Sequence, residues 1–140
     1  ALDECLIAKA LFERTIFAGG DWLGLSHNIS TGNLPLSISD TDNRLDLILA
    51  SETTYTPESC QDTAFLMLRH LKIDVGVGLV ATKRFYFGVG GGSDLFIEAC
   101  EKLCMTNQPP YSRLRLTVRT VQSFDTGNAN IRDLLEVRCQ

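Results

Sequence analysis

The sequence predicts an α/β domain in which parallel strands, each followed by a helix, lead into an antiparallel strand pair. Three observations carry that expectation. Two short apolar runs without alternation, Leu45-Asp-Leu-Ile-Leu-Ala50 and Val75-Gly-Val-Gly-Leu-Val-Ala81, have the composition of strands covered on both faces, as in a parallel sheet. Each is followed by a stretch of helical periodicity, near 57–71 and 93–105. The last third instead alternates with period two over 111–123, turns at Asp125-Thr-Gly-Asn-Ala129 and returns over 131–137.

The elements follow in order. Residues 2–12 (LDECLIAKALF) read as a helix, with Leu2, Leu6 and Ala10 at i+4 spacing and Asp3 and Glu4 where a helix dipole favours acids. Residues 14–18 read as a short strand stopped by Gly19 and Gly20. Residues 24–43, rich in Ser, Asn, Asp, Thr and Gly, read as a surface loop. After the first apolar run, Thr56 suits a helix cap, Pro57 the first helical position and Glu58 the first turn. Ala64, Phe65, Met67, Leu68 and Leu71 then form one apolar stripe. Gly76 and Gly78 mark close approach of neighbouring backbone in the second apolar run, which reads on through Phe87 into Gly88-Val-Gly-Gly-Gly92. In the second helix Leu95, Phe96, Ala99 and Leu103 face inward, and Asn107-Gln-Pro-Pro110 ends it. Beyond it, Arg113, Arg115, Thr117 and Arg119 point one way and Leu114, Leu116 and Val118 the other, the pattern of a half-exposed edge strand.

Composition narrows the function classes. The 140 residues suit one domain, with 44% hydrophobic and 21% charged residues in ordinary globular proportion. Thirteen Lys and Arg against 17 Asp and Glu leave a net charge of -4, which argues against a dedicated DNA-backbone binder. The first 70 residues hold 4 basic and 10 acidic groups, the last 70 hold 9 and 7, a mild asymmetry that reads as two differently solvated faces. The arginine row of 113–119 reads as edge protection, with phosphate or RNA contact as the alternative. No apolar run is long enough for a membrane-spanning helix, and no membrane partner is expected. Cys5, Cys60, Cys100, Cys104 and Cys139 are odd in number and contain no CxxC. They read as small buried hydrophobes in a reducing compartment, and no metal site is expected.

In such sheets ligands bind beyond the carboxyl ends of the parallel strands. Three stretches belong there: 19–22, 51–55 and 85–92. An α/β domain ending in an antiparallel pair resembles the C-terminal part of the seven-strand, class I (Rossmann-like) methyltransferases that use S-adenosyl-L-methionine. Three strings narrow it. Ile48-Leu-Ala-Ser-Glu-Thr-Thr-Tyr55, Val80-Ala-Thr-Lys83 and Tyr86-Phe-Gly-Val-Gly-Gly-Gly92 resemble the eukaryotic histidine protein methyltransferase 1 family. That family's apolar strand running into Gly-Asp-Trp is matched by Ile16-Phe-Ala-Gly-Gly-Asp-Trp22. The resemblance runs from about residue 14 to the C-terminus, over the family's third to seventh strands.

What the resemblance implies is specific. Gly20, Asp21 and Trp22 would hold the adenine of S-adenosyl-L-methionine, Asp21 by accepting from the amino group and Trp22 by its backbone N–H and its indole. Ser51 would line the methionine side. Glu52 would hold one N–H of an acceptor histidine, fix its tautomer and receive its proton, and Tyr55 would pack against acceptor or donor. Tyr86, Phe87, Gly88, Gly90 and Gly91 would form a substrate-side loop, or alternatively only a flexible turn. The implied substrate is a protein, a large-subunit ribosomal protein, in the cytoplasm or nucleus. A related protein-lysine methyltransferase and a non-catalytic interaction module are the alternatives. No glycine-rich cofactor turn and no second strand with a ribose-binding acid precede residue 14. The expectation is therefore a partial methyltransferase domain over 1–140, which by itself would bind the donor weakly, be inactive and expose an apolar sheet edge.

Overall fold

The computed structural model describes residues 13, 15, 20–31, 44–106, 111–125, 127 and 130–140. The chain divides into two compact units, Ala1–Asn43 and Arg44–Gln140, described separately. The helix expected over 2–12 lies outside the described residues, as does the strand expected over 14–18 except for Thr15.

In the first unit the expected loop over 24–43 is corrected at its start. Trp22–Ser30 is a helix, α1. Asp21 caps it, its Oδ1 accepting from Gly24 N at 2.8 Å, so the polar Ser, His and Asn that suggested a loop sit in a capped turn sequence instead. Residues 32–43 of that expected loop lie outside the described residues.

The second unit holds β1 (Leu47–Ser51), α2 (Pro57–His70), β2 (Val77–Lys83), α3 (Ser93–Thr106), β3 (Leu116–Phe124) and β4 (Arg132–Cys139). The sheet order is β1-β2-β4-β3. β1 and β2 are parallel, Leu49 opposite Leu79, and β4 is antiparallel to both β2 and β3. This is the mixed α/β sheet with an antiparallel close that the sequence predicts. Its reason is the connection length: the β1–β2 link carries a whole helix, whereas β3 and β4 are joined by a short turn.

α2 begins as expected. Thr56 accepts from Ser59 N, Ser59 Oγ accepts from Thr56 N, and Pro57 opens the helix. Arg44 closes its other end by donating to the carbonyls of Leu68 and Leu71. Cys60, Ala64, Met67 and Leu68 of α2 and Phe96, Ala99 and Cys100 of α3 pack in one core with Val80, Leu135, Val137 and Cys139. Phe65 is only half-buried, at the margin of the stripe. Cys60, Cys100 and Cys139 are buried free thiols, pushed up by that burial, as small apolar residues would be. Cys104 is half-buried, and Cys5 lies outside the described residues.

Three expectations are corrected. Among the described residues β1 is covered on one face: Leu49 is 69% exposed and Leu47 52%, because α2 and α3 both pack on the face of Ile48, Ala50 and Val80. The second strand runs over 77–83, not 75–87. It starts after a turn in which Asp74 has φ 65, and a Cβ on Gly76 would fall 2.6 Å from Lys72 N. The edge strand starts at Leu116, and its alternation breaks at a bulge between Thr120 and Gln122. Arg119 then donates to Glu136 at 2.9 Å, and Arg115 to the carbonyls of Ser112 and Leu114.

Two buried groups set the acid response. His70 is buried and its pKa falls to about 4, chiefly through burial, with Arg69 and Arg44 adding repulsion. Asp133 is 3% exposed and sits at about 2, held down first by hydrogen bonds from Arg84 and also by Ser123 and Ser93. Both folded values lie below the unfolded ones, so both groups lend stability at neutral pH that acid removes. The His70 share, about 3 kcal/mol, is lost as pH falls from about 6.5 to 4, and the Asp133 share, about 2 kcal/mol, from about 4 to 2. Urea unfolding midpoints followed against pH should fall in these two windows. His70→Gln should flatten the upper one alone, and an unchanged upper slope would show that His70 does not carry it.

Candidate functional site

β1 and β2 run side by side in the same direction, so the residues that follow them leave from one end of the sheet. Glu52 comes directly after β1. Its N–H donates to Ala81 O at 2.9 Å, extending the ladder by one residue, and its φ of 55 then turns the chain sharply. A left-handed glutamate costs roughly 1–2 kcal/mol, a cost that tends to be retained where a site needs it. The turn drops Thr54 into the interior, where its Oγ1 lies 2.6 Å from Thr82 Oγ1.

The carbonyls of Thr54 and Tyr55 then receive the glycine string. Gly92 N donates to Thr54 O at 2.9 Å and Gly91 N to Tyr55 O at 3.2 Å. A Cβ on Gly91 would fall 2.3 Å from Thr54 O, so no side chain fits there. Tyr86 N donates to Gly91 O, and Val89 N and Gly90 N donate to Tyr86 O, which closes residues 86–91 into a turn. Glycine at 91 and 92 provides close backbone contact.

This seating delivers Tyr86 to Glu52. The phenol donates to Glu52 Oε2 at 2.7 Å and accepts from Thr82 Oγ1 at 3.3 Å. Lys83 Nζ stands 3.8 Å from the same carboxylate oxygen and 5.1 Å from the Tyr86 ring centre. Burial, ahead of other causes, pushes Tyr86 above the usual phenol range, so it stays a donor at neutral pH. Among the described residues Glu52 Oε1 has no partner. The result is a half-exposed carboxylate with one oxygen fixed by a phenol and an ammonium and the other open to a proton or an N–H.

Tyr86 and Lys83 also border an open cavity of about 410 Å³, lined besides by Phe85, Phe87, Val89 and Arg132 among others, of which Glu52 is not part. Phe87, at the tip, is 88% exposed. Tyr55 is also exposed, with no side-chain partner among the described residues; its carbonyl, not its phenol, ties it to the loop. Ser51 ends β1 and is exposed. Gly88 and Gly90 have positive φ on the outer side of the turn.

Gly20, Asp21 and Trp22 belong to the first unit. Gly20 has φ 143, with open space where a Cβ would stand. Asp21 spends one carboxylate oxygen on the cap of α1. Trp22 is 39% exposed, not a core residue, and as the first helical residue its N–H has no acceptor within the helix. Among the described residues, no group of three or more His, Cys, Asp or Glu is arranged to hold a metal ion, and no helix is long and apolar enough to cross a membrane.

Sequence reasoning quoted Lys83, Thr54 and Thr82 within the matched strings but gave them no role. It placed Tyr86 on the loop without its bond to Glu52. The pairing of Glu52 with the aromatic 34 positions on depends on the Gly91 and Gly92 contacts.

No family model matches the chain. Over 132 residues, 94% of its length, it is 32% identical to a histidine protein methyltransferase 1 homolog of Dictyostelium discoideum. It is 37% identical over 111 residues, 79% of its length, to the homolog of Bos taurus. It is 39% identical over 62 residues, 44% of its length, to histidine protein methyltransferase 1 of Schizosaccharomyces pombe. The chain spans 36%, 25% and 17% of those three proteins, about a third or less of the curated relatives it matches. The similarity is thus a partial match to histidine protein methyltransferase 1 proteins, as the strings at the strand ends imply.

The glycine contacts give a paired expectation for stability. Gly91→Ala forces a Cβ against the Thr54 carbonyl and should cost more than about 2 kcal/mol. Gly88→Ala meets nothing within 4 Å and should cost only about 1 kcal/mol, for its φ of 82. Chemical denaturation of the two variants decides it; equal losses would mean that the loop is not seated on residues 54–55.

Proposed function

We propose that this chain is part of a protein methyltransferase that uses S-adenosyl-L-methionine and acts on a histidine side chain. One observation carries the reading: Glu52 stands at the carboxyl end of β1 in a strained backbone conformation, one oxygen fixed by Tyr86 and the other open. The partial match to proteins named histidine protein methyltransferase 1 supports it.

A histidine is nucleophilic at one ring nitrogen when the other carries the proton. The open oxygen of Glu52 accepts that N–H, fixes the tautomer and stabilises the positive imidazolium as the methyl group arrives. Tyr86 and Lys83 keep Glu52 pointed. Tyr55, Phe85 and Phe87 offer apolar surface for the segment that carries the acceptor.

S-adenosyl-L-methionine supplies a methyl group already activated on a sulfonium, so the protein's work is alignment and proton handling. By the resemblance Gly20, Asp21 and Trp22 would serve its adenine; within the first unit Asp21 keeps one carboxylate oxygen outside the α1 cap, and the Trp22 N–H has no acceptor within that helix. Ser51 would line the methionine side. The proposed acceptor protein is a large-subunit ribosomal protein in the cytoplasm or nucleus.

The test uses the protein as the cell makes it, with isotope-labelled donor and mapping of the modified residue. Glu52→Gln should cut the single-turnover rate by about 10²–10⁴-fold with donor affinity little changed. Asp21→Ser keeps a capping oxygen for α1 yet shortens the reach, and should weaken donor binding with less effect on the saturated rate. Normal turnover in Glu52→Gln with lost donor affinity would make Glu52 a cofactor ligand, and a label on lysine would replace histidine as acceptor.

A further inference from the structure

Asp133 is the second residue of β4 and is almost fully buried, yet its bonds reach three segments outside its own strand. Arg84, the residue after β2, donates Nε to its Oδ2 at 3.1 Å and Nη2 to its Oδ1 at 2.7 Å. Ser93, the first residue of α3, donates to Oδ2 at 2.7 Å. Ser123, near the end of β3, donates to Oδ1 at 2.6 Å. Arg84 and Ser93 directly flank residues 85–92. One carboxylate therefore holds both feet of the loop that carries Tyr86.

The feet are also pressed together. A Cβ on Gly92 would fall 2.1 Å from Arg84 O, so the two ends of the loop touch through backbone. Arg84 N donates to Ile131 O at 2.7 Å, and Asn130 Nδ2 to Phe85 O, so the segment leading into β4 grips the same foot. With both ends fixed, the Tyr86 phenol has little freedom to leave Glu52 Oε2. A carboxylate buried under four hydrogen bonds from three partners is an expensive way to gain stability alone, since an apolar cluster of similar volume does that as well. A bidentate guanidinium–carboxylate pair instead fixes direction as well as distance.

We infer that Asp133 is a positioning residue, a clamp on both feet of the 85–92 loop that sets the Tyr86–Glu52 hydrogen bond. The inference deepens the methyltransferase reading by adding a residue far along the chain that orients its proposed base. Its structural part stands without that reading.

The test separates the Ser93 foot, which adjoins Gly91 and Gly92, from the β3 side of the carboxylate. Ser93→Ala removes the bond to that foot; Ser123→Ala removes an equally short bond to the same carboxylate from β3, with only a longer contact of 3.2 Å from Arg84 Nη2, and leaves the Ser93 foot bonded. Amide exchange at Gly91 and Gly92 should speed up roughly tenfold or more in Ser93→Ala and stay within about twofold of the parent in Ser123→Ala. The ring resonances of Tyr86 should shift in Ser93→Ala and Asp133→Asn, and Arg84→Lys, which keeps the charge but loses the fork, should give an intermediate shift. Where Asp133→Asn does not fold, the two serine variants decide alone. Equal exchange in both serine variants, or an unmoved Tyr86 in Ser93→Ala, overturns the clamp. In the kinetic arm Ser93→Ala should lower kcat with KM for the acceptor little changed. If the parent transfers no methyl group while the exchange and Tyr86 results hold, the methyltransferase reading fails and the clamp stands.

Discussion

The backbone of Gly91 and Gly92 lies directly on the carbonyls of Thr54 and Tyr55, and the carboxyl end of the sheet is organised by that contact. It joins the segment after β1 to the segment after β2, two stretches that leave neighbouring parallel strands. Side chains would hold the segments too far apart. With no Cβ on Gly91 to meet Thr54 and Tyr55, and none on Gly92 to meet Arg84, each glycine N–H reaches a carbonyl that the turn at Glu52 has left without a ladder partner. Tyr86 is carried to Glu52 by the same seating, and Thr54 is pressed against Thr82 below it.

Polarity around this contact is graded. Below it, in the core between the sheet and α2 and α3, apolar side chains and neutral thiols fill the space. At its level stand paired hydroxyls and the Asp133 cluster, buried but satisfied. Above it, Glu52, Tyr55, Phe85 and Phe87 meet solvent. The Glu52 carboxylate on the upper layer is open to a bound partner, whereas Asp133, nearly buried and held at about 2, stays charged and structural. Two acids near one end of a sheet thus take different roles through their surroundings.

The sheet itself is one-sided. α2 and α3 share the face of Ile48, Ala50, Val80 and Leu135, and the opposite face shows Leu47 and Leu49. An apolar run without alternation is the mark of a strand meant for burial on both faces, which is how β1 reads in the sequence. Among the described residues it is packed on one.

The sequence alone determined the second unit's element order, the parallel and antiparallel pairing, the α2 cap at Thr56 and the identity of the core. These follow from local periodicity and from connection length, which a single chain segment displays in full. It also singled out Glu52 and the 86–92 string as site material. It misread residues 24–30, because Ser, His and Asn serve a capped helix as readily as a loop, and what separates the two is the Asp21 bond to Gly24 N. Tertiary structure decided that Tyr86 rather than Tyr55 meets Glu52, that Lys83 stands beside them, and that Asp133 holds Arg84 and Ser93 together. The partners of Glu52 and of Asp133 lie 31 to 49 residues away and meet them only once the strands are in register and the glycine backbone is seated, so no local pattern in the chain records them.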